Sequence, residues 1–181
     1  MSKEDELWAI IEREQIVVIY QDLQAVGGRH GAYYFEPEVG PIIALDHSTL
    51  KSDRLHLSVL AEELGHHMTV PERSTTMHWN YSLDIQESRD EVRALRWATD
   101  RLLPTFESID VIQFGGVRST LELAEHFGVT DWLAWRKIAF LREDIRAKHI
   151  RIKHADMFEA VFAFSREFME EVAAGTEYSF S

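Results

Sequence analysis

A chain of 181 residues with 45% hydrophobic side chains and ten Phe, five Trp and five Tyr spread along its length can enclose one core, which excludes an extended disordered region. Nineteen basic against thirty-one acidic residues give a formal charge of -12, which repels phosphate backbones and anionic membranes, so neither nucleic acid nor a membrane is expected as a partner. With no Cys there are no disulfides, thiolate nucleophiles or Cys-type zinc sites, and any metal must rest on His and carboxylates.

The N-terminus, Met1 to Glu6, is acidic with no long apolar run behind it, and no segment reaches bilayer length, so a cytoplasmic protein is expected. Leu7, Ile10, Ile11 and Glu14 recur at helical spacing and predict a helix over 4–14. The β-branched run Ile16 to Tyr20 predicts a strand, and two more follow at Ala32 to Phe35 and Ile42 to Leu45, punctuated by Gly27, Gly28, Gly31 and Gly40-Pro41. A small antiparallel sheet is the simplest assembly of the three.

From Asp53 to Met68 the residues Leu55, Val59, Leu60, Leu64 and Met68 keep a helical period, with Ser52 or Asp53 available as cap. A second helical pattern runs from Glu87 to Leu103 through Val92, Leu95, Trp97, Ala98 and Leu102, and Pro104 stops it. Further helices are predicted at 119–127, opened by the capping-box pattern Ser119-Thr120-Leu121-Glu122, at 131–147 and at 155–173. Strands first and helices later give an α+β fold: a small N-terminal sheet packed on the helix over 53–68, then a helical C-terminal half. The expected division is one domain over 1–150, with a C-terminal helix and tail over 151–181 packed on it.

Chemistry concentrates in Leu60-Ala61-Glu62-Glu63-Leu64-Gly65-His66-His67. Glu62 and His66, four apart on a helix, share one face about one turn apart, the geometry with which two side chains grip one metal. Glu63 is turned by roughly 100° around the axis, where its carboxylate reaches water beside the metal and can act as general base. A catalytic metal needs a third protein ligand. Glu91 is the expected one, because 91 - 66 = 25 residues leave room for a loop and a returning helix, and Ala94 and Ala98 let that helix come close. Glu87 and Asp90 are weaker candidates. In so acidic a chain an E-E-x-x-H string alone is weak, since acidic helix faces are usually only solvated; the strands before it and the second helix after it add weight.

These segments, with Glu91-Val92-Arg93-Ala94-Leu95-Arg96-Trp97-Ala98, Leu103-Pro104 and the later Leu123-Ala124-Glu125-His126-Phe127-Gly128-Val129-Thr130, resemble the ImmA/IrrE metallopeptidase family over about residues 16 to 145. The resemblance implies a zinc-dependent, gluzincin-like endopeptidase, in several members cutting the repressor of a mobile element or stress regulon. By position Glu63 matches its general base, His66 its second ligand and Glu91 its third. The departure is Glu62, where the family pattern H-E-x-x-H has His. A carboxylate there adds negative charge around the metal, so Zn2+ is the first expectation with Mn2+ or Fe2+ as alternatives, and activity can be reduced or lost. The expected partner is a protein substrate or regulator of the phage or mobile-element repressor class. The alternative function is a degenerate peptidase fold that binds a regulator without cutting it.

Other residues carry lesser expectations. His67 could pair with Glu63 as a different ligand set, and His78 and Tyr81 could donate to an oxyanion. His56 reads as structural, and His126 and His149 as exposed. Thr120 to Phe140 has a helix-turn-helix look, with Arg136, Lys137, Arg142, Arg146 and Lys148 locally basic; packing of two helices is the preferred reading against the acidic total charge. The Glu-x-x-His of di-iron bundles would need a second copy, which the sequence lacks. Met157, Phe158, Val161, Phe162, Phe164, Phe168, Met169 and Val172 cover more than one stripe, so the last helix is expected to contact a second copy, as a homodimer, or a substrate protein.

Overall fold

The computed structural model describes residues 2–69, 84–147 and 149–150. The expectations for His78, Tyr81, Lys148 and the helix at 155–173 with its partner contacts lie outside them. The described residues divide into two compact units, one up to Leu102 and one from Leu103.

In the first unit, α1 (Lys3–Arg13) opens on a complete capping box: Asp5 N–H donates to Ser2 Oγ at 3.1 Å and Ser2 N–H to Asp5 Oδ2 at 2.7 Å. β1 (Val17–Gln21) follows, then a single helical turn α2 (Gln24–Gly27), β2 (Gly31–Glu36) and β3 (Gly40–Asp46). The three strands lie where the β-branched and aromatic runs predict them. The sheet is mixed and not antiparallel: β2 and β3 form an antiparallel hairpin, whereas β1 pairs with β3 in parallel, in the order β1-β3-β2. β3 is central because both faces of Ile42 to Asp46 are covered, the environment that an unbroken apolar run such as Ile42-Ile43-Ala44-Leu45 satisfies. Asp46 ends this strand, and its carboxylate accepts from Leu23 N–H at 2.7 Å, Gln24 N–H at 3.0 Å and Ser48 N–H at 2.8 Å. These bonds, those of Ser48 first, hold its carboxyl well below the usual carboxylate range.

A short 3-10 helix (His47–Lys51) leads to α3 (Asp53–Thr69), capped by Ser52 through Leu55 N–H at 3.3 Å, and α4 (Asp84–Leu102) returns. α3 lies against α1, β2, β3 and α4. Leu7 and Ile11 of α1, Ile43 and Leu45 of β3, Leu60 and Leu64 of α3, and Ala94, Leu95 and Ala98 of α4 make the core. Val92, read in the helical stripe of α4, is 43% exposed instead. Two histidines on α3 tie it to both neighbours. His56 Nε2 meets Tyr20 Oη of β1 at 2.8 Å and its Nδ1 lies 3.8 Å from Glu4; His67 Nδ1 meets Tyr33 Oη of β2 at 3.0 Å and its Nε2 lies 3.9 Å from Glu14.

The second unit holds α5 (Thr105–Gln113), α6 (Thr120–Phe127) and α7 (Asp131–Arg146). Pro104 both ends α4 and begins α5, a helix that the β-branched Ile109, Val111 and Ile112 conceal from a propensity reading. At α6, Ser119 Oγ accepts from Glu122 N–H at 3.2 Å, while the Glu122 carboxylate reaches back one residue further than a capping box would, to Arg118 N–H at 2.6 Å. Gly128, at φ 69°, turns the chain into Thr130, which caps α7. Leu123, Ala124 and Phe127 are buried on α6, and Leu133, Ala134 and Ile138 on α7, as packing of two helices requires. Of the basic residues of α7, Lys137 is buried and donates to Thr105 Oγ1 at 2.7 Å, and Arg136 lies over the rings of Trp132 and Trp135. Among the described residues no helix is long and apolar enough to cross a membrane.

Candidate metal centre

Gly65 sits in mid-helix, where glycine costs about 1 kcal/mol relative to Ala, so its place there needs a packing reason. That reason is the backbone of α4: a Cβ at Gly65 would collide with the carbonyl oxygen of Ala94 and lie 3.1 Å from Ala94 Cα. The close crossing brings the next residue of α3, His66, beside the residue one turn before Ala94, Glu91. Gly65→Val is therefore expected to force the helices apart and lower unfolding free energy by about 1–3 kcal/mol, measured by urea denaturation, with weaker metal binding as a second readout.

Glu62, His66 and Glu91 come together, each offering one ligand atom with all three atoms within 4.8 Å of one another. His66 Nε2 and Glu91 Oε2 are 3.2 Å apart. Metal–ligand bonds near 2.1 Å at tetrahedral angles place donors roughly 3.4 Å apart, and octahedral neighbours somewhat closer. One imidazole and two carboxylates at this spacing fit a divalent cation. Glu62 and His66 are half-buried and Glu91 is exposed, so the group is reached from solvent on the α4 side.

Glu63 is on another face of α3, 6% exposed, beneath β2. Gly31 makes room for it: a Cβ there would lie 2.7 Å from Val59 Cγ1 and 2.8 Å from Glu63 Cγ. Burial pushes Glu63 up to about 8; His66 opposes this, the charges of Glu62 and Glu91 add to it, and Arg29 opposes it. His66 is drawn down by its own burial but raised overall, by its bond to Glu91 and by the charges of Glu63, Glu91 and Glu62. Glu63 and His66 thus hold protons that a nearby cation would displace, so metal affinity should rise with pH.

The same shifts fix a stability profile. Below about 4.5 Glu63 is protonated folded or unfolded; between 4.5 and about 8 only the folded chain keeps the proton. Folded stability therefore falls as pH rises through that window, by on the order of a few kcal/mol. His66, raised above 6.5, contributes in the same direction, its part present below 6.5 and lost above. In the presence of a chelator, urea midpoints should fall from pH 5 to pH 8, and Glu63→Gln should flatten most of the slope.

Of the other candidates, Asp90 is paired with Arg93 at 3.3 Å and is not in the donor group, and the Glu87 side chain lies outside the described residues. Among the described residues His67 joins no metal-ligand group with Glu63; its ring engages Tyr33 and Glu14. His126 and His149 are exposed, with His126 against the Phe127 ring and His149 3.8 Å from Asp144. Gly31, marked in the sequence only as turn punctuation, shapes the site together with Gly65, Arg29 and Tyr33, to which sequence reasoning gave no role; a glycine inside a helical run was the available signal for Gly65. No family model and no curated protein matches the chain.

Proposed function

We propose that the chain is a cytoplasmic, metal-dependent endopeptidase that hydrolyses a peptide bond in a protein partner. The observation that supports this is the convergence of Glu62, His66 and Glu91 next to a buried carboxyl, Glu63, that none of them occupies. A divalent cation held by those three residues would supply Lewis acidity at the scissile carbonyl and at water. Glu63 takes a proton from the attacking water on a carboxylate oxygen as the water oxygen bonds to the carbonyl carbon. It then delivers that proton to the leaving amide nitrogen as the C–N bond breaks. Its high proton affinity suits both transfers, and a bound cation would lower that affinity enough to leave the base ionised near neutral pH. The wall formed by Gly31 and Val59 keeps the carboxyl away from bulk water.

The ImmA/IrrE resemblance supplies the substrate class, a phage or mobile-element repressor. The test is terminal labelling of a proteome extract incubated with the full chain. New N-termini that appear with the native protein and not with Glu63→Gln support hydrolysis, and identical termini with both remove it. The second reading, a regulator-binding module without catalysis, is favoured by Glu62 in the place of His; it predicts that Glu63→Gln leaves function unchanged.

A further inference from the structure

One charged group near Glu63 plays no part in the proposed proton transfers: Arg29, whose role as a substrate contact rests on the peptidase reading. It follows Gly28, which closes α2, and precedes β2 by two residues. Its backbone is held on both sides. Gln24 Nε2 donates to the Arg29 carbonyl at 3.4 Å, and Asp46 N–H donates to the His30 carbonyl at 2.8 Å. Two residues span at most about 7 Å between Cα atoms, and the second of them, Gly31, lies against the Glu63 carboxyl. An arginine side chain covers a comparable distance, and the positive charge of Arg29 acts on Glu63. Yet the side chain is exposed and, among the described residues, its guanidinium has no hydrogen-bond or ion-pair partner.

We infer that Arg29 is a specificity-determining residue, which receives the carboxylate of an Asp or Glu side chain close to the scissile bond of the substrate. The chain carries a formal charge of -12, so an acidic side chain is repelled from most of the surface, and a preference for one has to come from a local cation. Glu62 and Glu91 are the carboxylates that a divalent ion would neutralise, which leaves Arg29 as a positive charge beside Glu63 without a counterion. Arg93, two residues beyond Glu91, is by contrast engaged with Asp90 at 3.3 Å. A guanidinium presents paired donors that match a carboxylate in two parallel hydrogen bonds, a fit that the isosteric amides Asn and Gln, with one oxygen each, do not offer. A Lys or Arg side chain at the same substrate position meets like charge, so the same residue also excludes.

The test uses the full chain reconstituted with Zn2+ and a pool of synthetic peptides, acetylated and amidated so that no terminal carboxylate competes, in which every Asp or Glu member has an Asn or Gln counterpart. Cleavage is read by mass spectrometry, and so is retention of the intact peptides on the immobilised chain, which needs no turnover. The native chain should favour acidic members over their amide counterparts by about ten-fold or more in both readouts. Arg29→Ala should abolish the preference, and Arg29→Glu should turn it toward basic members. Arg29→Lys keeps the charge without the fork and should keep part of it. Arg29 is exposed, so all three variants should fold. Because the ratio compares two peptides on one protein, any effect of Arg29 on Glu63 or on stability cancels from it. Cleavage without acidic preference, or with one that Arg29→Ala leaves within about two-fold of native, overturns the inference and spares the peptidase reading. Arg29-dependent retention of acidic peptides without cleavage does the reverse, and neither cleavage nor selective retention removes both.

Discussion

Glu63→Gln is expected to lower peptide hydrolysis by about 10²–10⁴-fold, the usual contribution of one positioned proton-transfer group, with bound metal unchanged. Gln matches Glu in shape and can still donate and accept hydrogen bonds, but cannot take up the water proton. Misfolding would give the same loss. The burial of Glu63 argues the other way, because a group pushed up to about 8 is already neutral in the fold at pH 7, and a neutral amide removes a cost that the native carboxyl carries as pH rises. The variant should be at least as resistant to urea as the native protein at pH 8 in chelator. Lost turnover with unchanged stability and metal content assigns the effect to proton transfer; unchanged turnover would move the chain to the binding class.

Glu91→Ala is expected to weaken metal binding by at least about 100-fold, more than loss of a residue that merely supports a ligand. Elemental analysis after gentle purification should find near one metal per native chain and little in the variant. Glu91 also forms an ion pair with His66, but its side chain is 50% exposed, and such pairs contribute about 0–1 kcal/mol. The variant should therefore stay folded, which separates loss of a ligand from loss of the helix pair. Metal retained at native stoichiometry would mean that a residue other than Glu91 completes the set.

The elements on which the site depends were legible because their periodicity was strong. Leu60 and Leu64 mark the buried stripe of α3, Ala94 and Ala98 the close face of α4, and from these the meeting of Glu62, His66 and Glu91 follows. The parallel pairing of β1 with β3 was not legible, since strand direction depends on which strand lies between the others, and the sequence marks that only through the uninterrupted apolar character of β3. α5 was missed because its β-branched residues favour extended backbone in isolation and the helix is held by burial of Ser108, Ile109 and Ile112. The turning away of His67 was equally hidden, being set by a tyrosine 34 residues earlier in the chain.

His56 and His67 are eleven residues apart, close to three full turns, so both leave α3 on nearly the same side. Each is held between a tyrosine of the sheet and a glutamate near one end of α1. Two such attachments, one near each end of the helix, act on its rotational phase. With side-chain ends about 5–6 Å from the axis, a roll of about 20° would carry them about 2 Å, well beyond the roughly 0.5 Å within which a reacting group has to be held. The tyrosines thereby keep the angular setting that lets His66 face α4 while Glu63 stays beneath β2, although neither tyrosine belongs to the donor set.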